Sequence, residues 1–177
     1  MACDLTNGRA EVCKESVGGI QGVYFINFTT GSFTKDVDGE VTAFPSGSTA
    51  YYYELKGTSA YTETVNTSRE NGTTFFSQEL TLNLKKLTNT MTTQLKLLAY
   101  GRPQIIVHTK NGEALLVGEE NGADLTAGTI QTGAALGDLY GYSATMTGEE
   151  KLPAAFISGS TNTDPFAGIT PPTIVYS

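Results

Sequence analysis

The chain has 177 residues, of which 39% are hydrophobic and only 16% charged, with a net charge of −7. Its length suits a single domain with a real core, and a large stock of Thr, Gly and Tyr beside no Trp favours strands over helices or disorder. The acidic balance excludes a protein that grips nucleic acid by its phosphates, which needs clustered Lys and Arg, and no window approaches the roughly eighteen apolar residues of a membrane span.

Residues 1–21 read as a polar arm with Gly8, Gly18 and Gly19 and no sustained period. They contain no apolar leader, so a soluble chain made in a cytoplasm is expected. Cys3 and Cys13 are the only cysteines. A disulfide, a weak metal site and free thiols are all open to them; two Cys without a second pair or a nearby His make a poor zinc site, and the lack of a secretory signal favours thiols. The N-x-[ST] patterns at Asn27, Asn66 and Asn71 are what a Thr-rich chain produces by chance.

"GVYFINF" at 22–28 is short, aromatic and β-branched, the pattern of a buried strand. Asp38-Gly39 lies between two strand-like runs and is expected to form a type I′ hairpin turn, whose two central residues need positive φ. The same stretch fails as a calcium loop, because its glycine comes too early and Gly47 stands where the bidentate acid is required. "TAYYYELKG" and "SAYTETVNTS" continue in strand formers, and "RENG" at 69–72 reads as a turn into "TTFFSQELTLNLKKL". There Leu80, Leu82 and Leu84 alternate with Thr81, Asn83 and Lys85, one apolar face against one polar.

The period then changes. Leu84, Leu87, Met91, Leu95 and Leu98 form a helical stripe, with Thr88 or Asn89 as its cap and Gly101 and Pro103 as its stop, which places one helix near 88–100. "QIIVHTKNGEALLVG" is a hairpin signature around Asn111-Gly112. "DLTAGTIQT", "GDLYGYSATMTG" and "LPAAFIS" supply three further strands, with Tyr140, Tyr142, Ala144 and Met146 on one face of the second. The domain is thus expected over 22–158, and 159–177 as a C-terminal extension lying on a neighbouring subunit.

Chemistry is sparse. His108 is the only histidine and sits in a strand-like run, where a structural or solvent-facing role outweighs general-base work. No G-x-S-x-G elbow accompanies it. Glu119-Glu120 and Glu149-Glu150 fall in predicted turns, where solvated charge is expected. Tyr51, Tyr52 and Tyr53 cannot form one stacking platform, since successive strand residues face opposite ways; Tyr51 and Tyr53 share a side, for an interface or for a ligand. Gly128 and Gly133 have phosphate-loop spacing, but Ala134 and Ala135 stand where the Lys and hydroxyl are needed, so the glycines, with Gly137, are read as marking strand starts, stops or close approaches. No catalytic, cofactor-binding or metal-ligating residue is assigned, and the chain is expected to be neither an enzyme nor cofactor-dependent.

The order of elements, with "NGEALLVGEENGADLTAGTIQTG" and "GYSATMTGEE" similar in style, resembles the tail tube proteins of long-tailed bacteriophages, which share a fold with the inner tube of contractile injection systems. The resemblance is best over 88–157 and does not cover the arm or 159–177. It implies a mainly β fold of two packed antiparallel sheets, a β-sandwich or half-barrel, with one flanking helix. It further implies a virion structural protein that forms homo-oligomers, six subunits to a ring, with rings stacked through loops and terminal arms around a lumen that conducts DNA without binding it, and with other tail proteins as partners. The competing readings are another virion part, such as a neck, tail-terminator or capsid-decorating protein, and a β-sandwich binding or adhesin module.

Overall fold

The structure, a computed structural model, describes residues 5, 7–11, 13–30 and 33–176; Cys3 lies outside them, and Cys13 is exposed on the arm. The elements run β1 (Ile20–Ile26), β2 (Thr34–Lys35), β3 (Val41–Ala43), β4 (Thr49–Glu54), β5 (Ala60–Ser68), β6 (Thr73–Lys85), α1 (Asn89–Tyr100), β7 (Gln104–Thr109), β8 (Ala114–Val117), β9 (Asp124–Gln131), β10 (Gly141–Glu150), β11 (Ala155–Phe156) and β12 (Thr173–Val175). They form a six-stranded sheet in the order β11-β8-β7-β1-β4-β12, a four-stranded sheet in the order β5-β6-β10-β9, and a small β2-β3 hairpin. The fold is mainly β, with sheets, antiparallel save for the β12-β4 pair, packed together and one helix among the described residues, as the sequence led us to expect.

The two large sheets share one core. Val23, Phe25, Ile105 and Val107 face it from the six-stranded sheet, and Leu80, Leu82, Tyr142, Ala144 and Met146 from the other. A second core covers the back of the six-stranded sheet, where Tyr24, Ile106 and Leu116 meet Phe33, Val41 and Phe166. This double burial explains the unbroken apolar runs of β1 and β7. In β6 and β10 the alternation survives because only one face is covered.

Both X-Gly hairpins form, by a different turn from the one expected. Gly39 and Gly112 have φ of 88° and 99°, while Asp38 and Asn111 stay out of the left-handed region. The Asp36 N–H bonds the Glu40 carbonyl and the Gly39 N–H that of Asp36; Thr109, Glu113 and Gly112 repeat the pattern. These are three-residue loops that ask positive φ of the glycine alone, so the preceding Asp or Asn is spared the strained conformation.

The helical stripe divides between elements. Leu84 belongs to β6 and Leu87 to the link, while Met91, Leu95 and Leu98 ride on α1, and all five reach the same core. Thr88 is the cap, its Oγ1 accepting the Met91 N–H at 3.2 Å. Tyr140 precedes β10 and is half exposed, so the apolar face of that strand starts at Tyr142. The C-terminal segment lies on its own chain: β12 pairs in parallel with β4 and Phe166 enters the second core.

Candidate functional site

Among the described residues, no group of three or more His, Cys, Asp or Glu could hold a metal. His108 is buried on β7, its Nε2 2.8 Å from the Thr161 carbonyl oxygen, where it latches the 159–164 loop onto the sheet. Of the two structural roles open to it from sequence, the buried one applies.

Of the two acid pairs, Glu119-Glu120 lies in the turn after β8 as expected, with Glu120 exposed, and the other departs from expectation. Glu149-Glu150 ends β10 instead of lying in a turn, and Glu150 is only 4% exposed. Its Oε1 accepts the N–H groups of Glu120 at 3.0 Å and Asn121 at 2.8 Å. Burial pushes its carboxyl above the usual carboxylate range, against the opposing pull of those two donors. Glu119 pairs with Lys35 at 2.6 Å. The sequence carries no sign of this arrangement because the donors are backbone groups of a loop thirty residues away.

The near-miss phosphate loop has a local explanation. Gly133 has a φ of 72° and opens a turn in which the N–H groups of Ala134 and Ala135 point to one acceptor. That acceptor is Asp138, whose Oδ2 takes both bonds at 2.9 and 2.8 Å, which lowers its carboxyl pKa. The donors a phosphate would use are occupied by the chain itself. Gly128 marks no strand start or stop; it sits within β9 opposite Ala144.

Two surfaces remain. The first is a groove of about 510 Å³ between β4 and α1, lined by Tyr51, Tyr53, Leu84 and Met91 together with Lys85 and with Lys56, which pairs with Glu54 of the same lining at 2.9 Å. It runs on through Tyr51, Tyr53 and Gln94 into a hollow of about 390 Å³ beside Phe28 and Arg102. Tyr53 packs edge-on against Phe25 with ring centroids 5.0 Å apart, whereas Tyr52 turns to the opposite face and meets Tyr24 and Tyr176. The split of the tyrosine triplet follows the strand period. A largely apolar lining with one unpaired cation among the described residues, Lys85, is chemically suited to an apolar group beside an acid.

The second is the outer face of the four-stranded sheet. Opposite the buried Leu80, Leu82, Ala144 and Met146 stand Ser77, Glu79, Thr81, Ser143, Thr145 and Thr147, in register across β6 and β10. Thr126 Oγ1 meets Thr147 Oγ1 at 3.0 Å, extending the hydroxyl lining to β9. Among the described residues, the sheet's border strands, β5 and β9, each pair on one side only. Their outer N–H and C=O groups are open templates for another strand. The alternation in β6 and β10 was readable from sequence; which strands lie at the borders was not.

Among the described residues, no helix is long and apolar enough to cross a membrane. No family model matches this chain, and no curated protein or solved structure matches it either.

Proposed function

We propose that this chain is a structural, self-assembling subunit of a virion tube, of the kind built by the tail tube proteins of long-tailed bacteriophages, with stacked hexameric rings around a DNA-conducting lumen. The observation that carries the reading is the four-stranded sheet, apolar on one face, hydroxyl-lined on the other and bare at both borders. If β9 of one copy pairs with β5 of the next, each edge is satisfied and the sheets join into a continuous barrel, which removes the edge liability altogether. The register shift between Thr145 and Met146, where β10 meets β9, adds the local bend that a curved wall needs.

The wall of such a barrel presents Ser and Thr hydroxyls with Glu79 and Glu149 to the lumen. Hydroxyls hydrate the surface without holding phosphate, and acids repel it, so DNA passes without being gripped. Purified protein at high concentration should form rings or tubes by negative-stain imaging and large species by light scattering. A chain that stays monomeric by both measurements is not a tube subunit. A second reading, a monomeric β-sandwich binding module, draws on the Tyr51–Tyr53 groove and predicts saturable binding to a glycan surface that Tyr51→Ala and Tyr53→Ala abolish.

A further inference from the structure

The β2-β3 hairpin ends in Asp36-Val37-Asp38-Gly39-Glu40, and Val37 at its tip is fully exposed. The tip is ordered by its own bonds: Asp36 Oδ1 accepts the N–H groups of Asp38 at 3.0 Å and Glu40 at 2.9 Å. The neighbouring cation, Lys35, is taken by Glu119. What remains is an apolar knob ringed by acids, the complement of the groove's tyrosine and methionine lining and of Lys85, which has no ion-pair partner among the described residues, whereas Lys56 is taken by Glu54.

The position of the two features decides whose groove the knob can reach. Glu119 anchors the hairpin, and the next two residues, Glu120 and Asn121, donate their N–H groups to Glu150, the last residue of β10. The lysine end of the groove is at Asn83, Leu84 and Lys85, and Lys85 pairs with Gly141, the first residue of β10. Knob and groove therefore lie at opposite ends of the same ten-residue strand, so the knob of one copy cannot enter its own groove. A contact between two different patches on identical chains is head-to-tail and propagates.

We infer that the Asp36–Glu40 tip of one copy seats in the β4-α1 groove of a second copy, with Val37 on Tyr51, Tyr53 and Met91 and Asp38 facing Lys85. The inference rests on the self-assembly reading and deepens it, because this contact runs along β10 whereas pairing of β5 with β9 runs across it. Edge pairing closes rings; the knob and groove stack them.

The test uses the full chain with Val37→Asp, Asp38→Lys and Lys85→Glu, each checked for folding by circular dichroism. At concentrations where the unaltered protein stacks, each change should cut the stacked fraction about tenfold or more in sedimentation and negative stain while single rings persist, since like charges across a contact disfavour it. Asp38→Lys with Lys85→Glu in one chain should restore stacking. Single reversals that stack normally, or a double reversal no better than either single, overturn the contact and leave the tube reading standing. If the unaltered protein never associates, the tube reading fails, and the groove is judged with a synthetic peptide of residues 33–43 added to the monomer. Shifts at Tyr51 and Met91 by NMR that Lys85→Glu abolishes uphold the groove; no shifts, or shifts that persist in Lys85→Glu, overturn it.

Discussion

The side-chain oxygen of Gln78 accepts the backbone N–H of Gly118 at 2.9 Å, joining the middle of the four-stranded sheet to the turn that follows β8 in the other. Gln78 is fully buried, and its Nε2 donates to Glu63 Oε1, which also accepts the Ala154 N–H at 3.0 Å. A buried chain of this kind, with each member partnered, fixes how the sheets sit as well as how strongly they adhere. Gln78→Leu fills the same space and strands the Gly118 N–H, so a loss of about 1–3 kcal/mol in unfolding free energy is expected in denaturant titration. An unchanged midpoint would show that the link is dispensable.

Tyr142 holds the start of the helix by its hydroxyl. The oxygen accepts the Thr88 N–H at 3.1 Å, donates to the Thr88 carbonyl at 2.9 Å and lies 2.8 Å from Thr92 Oγ1. Tyr142→Phe keeps the ring in the core and removes this anchorage. The melting temperature should fall by several degrees, corresponding to about 1–2 kcal/mol, and hydrogen exchange should quicken in 88–92 before it does in β10.

His108 should prove a latch and nothing more. His108→Phe keeps the volume of the buried ring and removes the partner of the Thr161 carbonyl. Faster exchange confined to 159–164, with a loss of about 1–3 kcal/mol, is the expected outcome. Global loosening of β7 would assign the histidine a larger part.

Glu150 and Asp138 should respond to acid with opposite signs. Folding raises the Glu150 carboxyl through burial. Its contribution is therefore fully present below the unfolded pKa and is lost as pH rises through the folded one. The melting temperature of the unaltered protein should rise relative to Glu150→Gln as pH is lowered toward about 4. Folding lowers the Asp138 carboxyl through the bonds from Ala135 and Ala134. That contribution is present above the unfolded pKa and fades as pH falls through the folded one. The amide resonances of Ala134 and Ala135 should titrate with a midpoint below that of a free aspartate, a transition absent from Asp138→Asn.

Local pattern made the strands and the helix readable, and long-range contact decided the rest. The Leu80-Leu82 alternation announced a one-sided strand because water on the outer face enforces it. The stripe from Leu84 to Leu98 ran past its helix because a strand, a link and a helix were converging on the same core, and side-chain spacing cannot tell a shared helix face from a shared destination. Glu150 looked like a surface acid, since nothing in "TGEE" announces that residues 120 and 121 will turn their amides toward it. The groove was half legible: the alternation put Tyr51 and Tyr53 together, but Met91 and Lys85 came to them only through the crossing of α1 and the end of β6.

If copies of the chain pair edge to edge as proposed, the one-sided borders of the four-stranded sheet have a consequence for how copy number is decided. A strand edge recognises another by backbone groups that every residue carries, so affinity at β5 and β9 sets no count. In the proposed ring, growth would end when the last edge meets the first, at an angle to which the twist and the register shift of β10 against β9 would contribute. Changes at Thr145 or Met146 are then changes in arithmetic: they would alter how many subunits make a circle while leaving each junction as firm as before.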